Sequence, residues 1–304
     1  MKKSGKIILA LVLLASLFAA DNYLSHSSLI YNSNIFIKND FEITQEKHPE
    51  KVWDKVFFGN SVVISAYMED KSTSGYINLG LDYGLVTDLW EMIDKGYIEI
   101  GSELVIGLNY LTLYDDFDTN PTYIWHKKWY QPYAYFQRDR FYPLITGMFE
   151  RFLNGESIPP MTYSYQNKAV YHGRISDNAL KDKLSEYEEM FFNKPIEDYH
   201  ENFEALEKVI SYCNDNGIRV RVVHMPWNPV FEKPPLVKAV RENTDAILEK
   251  YDIEVLDLED EFGPEYFHDT GHLNYDTGSE KFTETIDVSI ARRLRARFAL
   301  RRTA

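Results

Sequence analysis

Lys55-Val-Phe-Phe-Gly59 runs directly into Asn60-Ser61. A short apolar stretch that stops at glycine and gives way to small polar residues reads as a buried strand ending in a loop. Tyr76-Ile-Asn-Leu-Gly80 repeats the scheme. Leu104-Val-Ile-Gly-Leu-Asn-Tyr-Leu-Thr-Leu113 is a continuous apolar run of strand length, as a central parallel strand covered on both faces requires. Ile218-Arg-Val-Arg-Val-Val-His224 and Ile253-Glu-Val-Leu-Asp257 read as two further strands. Between them the period changes. Leu85, Leu89, Met92 and Ile93 have helical spacing, a helix near 198–215 stops at Asn216-Gly217, and others are expected near 235–250 and 276–298. Strand–helix alternation of this kind predicts an α/β fold, a three-layer α/β/α sandwich with a mostly parallel central sheet. Over about 115–197 the rhythm breaks into an aromatic-rich insertion with two or so helices, carrying Trp125, Trp129, Tyr130, Tyr133, Tyr135, Phe136, Phe141 and Tyr142.

The 304 residues suffice for one large α/β domain with such an insertion. A formal charge of −14 argues against nucleic acid as a partner, because phosphate binding needs basic surface. Basic residues do gather at the end, at Arg292, Arg293, Arg295, Arg297, Arg301 and Arg302. They read either as cations at the negative end of a final helix or as a face leaning on anionic lipid. Cys213 is the only cysteine, so no intrachain disulfide can form, and cysteine usage does not decide the compartment. The N-terminus says more. Lys2, Lys3 and Lys6 precede an uncharged apolar run of 14 residues from Ile7 to Ala20, closed by Asp21. This is the basic and apolar pattern of an export signal, with the bulk of the chain outside the cytoplasm. Residues 1–22 therefore read as a signal anchor or a cleaved signal peptide, 23–50 as a polar tether and 51–304 as the catalytic domain.

In a parallel sheet, ligands gather beyond the carboxyl ends of the strands. The loops expected there hold Gly59-Asn60-Ser61, then Asn78 and Gly80, then Asn109. A fourth loop, Phe267-His-Asp-Thr-Gly-His-Leu-Asn274, places Asp269 and His272 three residues apart. A serine hydroxyl needs a base to take its proton, and His272 is a candidate. An imidazole in that role needs an acceptor to fix its tautomer, and Asp269 is a candidate. The attacked carbonyl becomes an oxyanion, for which the N–H groups of Ser61 and Gly80 and the Asn109 amide would be donors, each worth about 3 kcal/mol. Each signal alone has a plainer reading: Gly-Asn-Ser as turn chemistry, Asp269 as a helix cap. Their joint occurrence carries the assignment.

These residues resemble the SGNH hydrolases, whose four blocks centre on Ser, Gly, Asn and His. Gly59-Asn60-Ser61 resembles the first block, usually Gly-Asp-Ser; Asn78-Leu-Gly80 the second; Gly107-Leu-Asn109 the third; and Asp269-Thr-Gly-His272, followed by Leu273-Asn274, the fourth. The resemblance covers about 53–113 and 218–295, not the insertion. It implies a flavodoxin-like sandwich and an acyl-serine mechanism without a cofactor. It is nearest to the membrane-anchored branch of alginate-acetylation and D-alanyl-transfer proteins. That branch implies an O-acyltransferase, acetyl above all, acting on a cell-surface polysaccharide or glycan beside a membrane-bound O-acyltransferase. Asn60 departs from the usual Asp, which implies a changed loop hydrogen bond rather than lost chemistry.

Val62-Val63 after Ser61 exclude the Gly-x-Ser-x-Gly elbow. No ligand spacing points to a metal, and no glycine loop to a phosphate. His224, at a strand end, is a candidate substrate contact or a histidine satisfied by its neighbours. Trp125 and Trp129 are candidates for stacking on sugar rings, or core of the insertion. A secreted carbohydrate esterase, or an inactive polysaccharide-binding or export-complex subunit, are the competing functional readings.

Overall fold

The computed structural model describes residues 3–26, 38–156 and 168–289. In chain order the helices are α1 (Lys3–His26), α2 (Asp40–Lys47), α3 (Ser61–Ala66), α4 (Val86–Asp94), α5 (Tyr133–Phe136), α6 (Arg138–Leu153), α7 (Asp177–Tyr187), α8 (His200–Asp215), α9 (Pro235–Lys250) and α10 (278–289). The strands are β1 (Val52–Gly59), β2 (Ile77–Gly80), β3 (Glu99–Leu108), β4 (Arg219–His224) and β5 (Glu254–Asp257). The chain forms two compact units. Residues 1–43 and 121–167 make one, and residues 44–120 and 168–304 the other.

The larger unit is built on one sheet in the order β2-β1-β3-β4-β5, every pair parallel. Side chains alternate across it, as the period of a strand requires. Phe57, Val105 and Val223 point to one face and form a core with Val62, Val63, Ala66, Phe267, Leu273, Phe282 and Ile286. That core joins the sheet to α3, α10 and the loop between β5 and α10. On the other face Phe58, Leu104, Ile106 and Val222 are fully buried. There α8 packs on β4 and on α4, which bury Leu89, Met92, Leu206, Val209 and Ile210 between them. The fold is thus an α/β sandwich of three layers with a parallel sheet in the middle.

The register aligns Gly59 with Gly80, Leu108 with His224 and His224 with Asp257. The segments that follow β1, β3 and β4, beginning at Asn60, Asn109 and Met225, therefore leave the sheet along the same edge. Two glycines make that edge close. A Cβ on Gly59 would lie 2.3 Å from Val63 Cγ2, and one on Gly107 would lie 2.5 Å from the same atom and 2.9 Å from Met225 Sδ. Only hydrogen fits where α3 settles onto β1 and β3.

The central strand differs from its expected span. β3 begins at Glu99 and ends at Leu108, and Leu111–Leu113 form a 3-10 turn. The cause is Asn109, whose Oδ1 accepts from the N–H (2.9 Å) and the hydroxyl (2.8 Å) of Thr112 and bends the chain away from the sheet. Residues 40–47, expected within a polar tether, are helical, with Phe41 and Ile43 buried. The segment 168–197, expected as part of the insertion, belongs to the unit that contains the sheet. The arginines from 292 onward lie outside the described residues.

In the smaller unit α1 continues past the expected apolar run, and Ser4–Tyr23, 20 residues, is long and apolar enough to cross a membrane. A signal sequence passes the same test. Asp21 Oδ2 accepts from the N–H of Tyr133 at 2.6 Å, tying the end of that stretch to α5.

Gly107→Ala is expected to lower stability by about 1–3 kcal/mol, because the added methyl overpacks Val63 and Met225. Urea unfolding measures it, and an unchanged midpoint would show that α3 is free to lift from the sheet.

Candidate active site

Ser61 is the first residue of α3. Asn60 precedes it in an extended conformation and caps the helix, its Oδ1 accepting from Val62 N–H at 3.0 Å. The first N–H groups of a helix have no partner inside it; the Asn60 side chain takes that of Val62, and its carbonyl accepts from Val63 at 2.9 Å and Ile64 at 3.2 Å. Among the described residues the N–H of Ser61, beside its own hydroxyl, has no acceptor.

The loop that carries His272 is pinned at both ends. Phe267 and Leu273 form an antiparallel bridge and are fully buried, His268 N–H donates to the His272 carbonyl at 2.8 Å, and Asn274 N–H donates to the Tyr266 carbonyl at 2.8 Å. Asn274 Oδ1 then accepts from Thr277 and Gly278 N–H at 2.9 and 3.2 Å, so Leu273 and Asn274 anchor the loop and start the last helix. Inside the loop, Asp269 Oδ1 accepts from Gly271 N–H at 3.0 Å and His272 N–H at 2.8 Å.

This tight turn brings three side chains into one line. Asp269 Oδ2 lies 2.9 Å from His272 Nδ1, and His272 Nε2 lies 2.9 Å from Ser61 Oγ. A carboxylate can only accept, so the proton sits on Nδ1 and Nε2 accepts from the serine hydroxyl. Burial opposes charge on Asp269, but its hydrogen bonds with His272 and Lys183 hold its carboxyl well below the usual range. The Lys183 ammonium forms an ion pair with Asp269 Oδ2. The Tyr171 ring lies on the imidazole, with centroids 4.3 Å apart and planes 22° apart. Lys168, three residues before Tyr171, donates to the carbonyls of Asn78 at 2.6 Å and Gly80 at 2.9 Å.

Asn109 faces the same space. Its Oδ1 accepts from Asn60 Nδ2 at 3.0 Å as well as from Thr112. Three donors fix the oxygen, and the Nδ2 hydrogens have no acceptor among the described residues. The Asn60 amide thus both caps α3 and donates to Asn109, roles that use its oxygen and its nitrogen separately.

Several sequence expectations need correcting. The Gly80 N–H is not free for an oxyanion, since it donates to Asn78 Oδ1 at 2.9 Å. Asn78 Nδ2 in turn donates to the Tyr67 carbonyl at 2.7 Å, so the pair braces the end of β2 against α3 instead of facing a ligand. Trp125 is fully buried, stacked on Tyr123 at 4.7 Å and edge-on to Phe41 at 5.0 Å, so neither of its faces can meet a sugar. Trp129 is 87% exposed in the smaller unit and does not line the cavity beside Ser61. His224 does line it, buried and bonded through Nε2 to Asp245 Oδ1 at 3.0 Å. Burial, with Arg241 nearby, lowers its pKa to about 4 and keeps the ring neutral near pH 7. Among the described residues, no three or more His, Cys, Asp or Glu side chains gather as a metal site would need.

Lys183 and Tyr171 were not legible in the sequence. They reach the site from a segment without a motif, and no spacing ties position 183 to position 269. The role of Asn60 had a signal, its place beside Ser61, but the Asn109 partner did not.

A family model without a functional description matches residues 181–295, the part that contains β4, β5 and the His272 loop. No curated protein matches the sequence. Among solved structures, a proposed acylhydrolase from Bacteroides fragilis NCTC 9343 is similar, with a TM-score of 0.41 and 12% identity over 81% of this chain and 89% of that one.

Two outcomes are expected from this geometry. Asn109→Ala removes a donor aimed at the cavity and should lower kcat on an activated ester by about 10²–10³-fold, with KM little changed. His224 protonates near 6.5 in the unfolded chain and only near 4 in the folded one. Between those values the unfolded state binds more protons, so stability falls as the pH drops from 6.5 to 4, by on the order of 3 kcal/mol. Urea titrations across that window should show the slope in the native chain and its absence in His224→Asn.

Proposed function

We propose that this chain is a serine-dependent acyltransferase of the cell envelope, acting through an acyl-serine on Ser61. The observation that carries the reading is the unbroken chain from Asp269 through His272 to the Ser61 hydroxyl, at the wall of a cavity. Ser61 Oγ attacks the carbonyl carbon of an acyl ester while His272 Nε2 takes its proton. The negative charge on the former carbonyl oxygen meets the Ser61 N–H and Asn109 Nδ2. The tetrahedral intermediate collapses, the donor alcohol leaves with the proton from His272, and the acyl group stays on Ser61. An acceptor hydroxyl then gives its proton to His272 and attacks the acyl-serine, and Ser61 recovers a proton as the new ester departs. Asp269 orients the ring and balances its transient charge throughout.

A sugar hydroxyl as acceptor is supported by the resemblance to envelope acylation proteins. With water as acceptor the same machinery is a carbohydrate esterase, and the first half-reaction is identical. A membrane location is supported by the 20-residue apolar stretch of α1 and by exposed Trp129, Tyr130, Tyr142, Phe149 and Phe152 in the same unit, residues of the kind that settle at a membrane–water boundary. The donor in this reading is an acyl ester delivered at the membrane, for which a membrane-bound O-acyltransferase is the fitting partner.

A fluorophosphonate probe should label the native chain at the peptide holding Ser61, and Ser61→Ala should abolish labelling while lowering ester turnover by at least about 10⁴-fold. Labelling elsewhere, or turnover unchanged in Ser61→Ala, would remove the serine from the mechanism.

A further inference from the structure

The cavity beside Ser61 is larger and more apolar than an acetyl group requires. Its volume is about 70 Å³, several times the roughly 10–15 Å³ that holds one water molecule. Past Ser61, His272 and Asn109 its wall is built from Leu108, Leu184, Phe192, Met225, Trp227 and Val240. These come from the ends of β3 and β4, from α7 and α9, and from loops of the same unit. The strand order gives its direction. Ser61 follows β1, and His224 and Met225 stand at the end of β4, two strand spacings away, or about 10 Å. The cavity therefore runs sideways along the carboxyl edge of the sheet.

The far polar groups are already partnered. His224 bonds Asp245, and Arg241 bonds Asp245 at 2.8 Å, Asp257 at 2.9 Å and Glu259 at 3.1 Å. Of these, His224, Arg241 and Glu259 line the cavity, each already held by a partner. An acetyl group on Ser61 would send one methyl into this space and leave most of the apolar wall uncovered.

We propose that the acyl group carried by Ser61 is a hydrophobic chain of several methylenes, seated along this edge, and not acetyl. The inference rests on the acyl-serine reading above and names its substrate class. Each methylene moved from water onto an apolar wall contributes about 0.8 kcal/mol, close to fourfold in kcat/KM. A well-filled cavity thus favours an octanoyl over an acetyl ester by at least about tenfold.

The test uses the full chain in lipid nanodiscs, with p-nitrophenyl acetate and p-nitrophenyl octanoate. The expected result is a kcat/KM ratio of at least about tenfold for octanoate, falling by at least about tenfold in Val240→Trp, which fills the cavity. Leu184→Trp, at a less buried part of the wall, serves if Val240→Trp does not fold. A preference for acetate, or a ratio that neither variant changes, overturns the proposal. Binding is measured separately by calorimetric titration of octanoate and acetate, with the tryptophan variant subtracting uptake by the lipid. Octanoate binding that the variant loses supports the pocket even if neither ester turns over and the acyl-serine reading falls. Equal heats in native and variant chains overturn it.

Discussion

One carboxylate holds the site together. Asp269 accepts two backbone N–H groups of its own loop, fixes the imidazole of His272 and pairs with Lys183. Its side chain is fully buried, a position where a lone charge would be very costly and where one with several donors is strongly held. The same bonds that shape the Asp269–His272 turn therefore set the direction of the ring. The serine hydroxyl needs only to be delivered to a ring nitrogen that is already aimed.

Delivery depends on the sheet. Parallel strands in register end on one edge, and bare glycines at Gly59 and Gly107 let α3 sit directly over β1 and β3. The Asn60 amide then links the two strand ends, donating to Asn109 and accepting from Val62. This one side chain positions both the helix that carries the serine and the amide left facing the cavity. The segment around Lys168 and Tyr171 adds a second layer, tying the end of β2 to one face of the imidazole. The cavity that opens beside these groups is apolar, so the groups around Ser61 work against a low-dielectric wall, where directed hydrogen bonds count for more than in water.

The acetyl group that the sequence resemblance implies and the longer chain proposed for this cavity differ. The conflict has a physical source. In the proposed mechanism the motifs encode only how a carbonyl is attacked, which is the same for any acyl chain. The space beyond the carbonyl is built by Leu184, Phe192, Trp227 and Val240, none of which belongs to a motif.

The sequence by itself determined the α/β alternation and the order of the four loops, and it singled out Ser61, Asn109, Asp269 and His272, which the fold brings together. These features are local, since strand and helix periods, terminating glycines and a three-residue Asp–His spacing are set by near neighbours along the chain. Local reading also placed Asn78, Gly80 and Trp125 at a ligand site, and there it went astray. Whether an N–H is free or a ring is exposed depends on partners such as Asn78 Oδ1 and Phe41, chosen only when the chain packs. Tertiary structure alone decided the Lys183 ion pair, the Tyr171 stack, the link between Asn60 and Asn109 and the apolar cavity. Each joins residues about 50 to 100 positions apart or builds a wall from several elements, and no one-dimensional pattern carries that information.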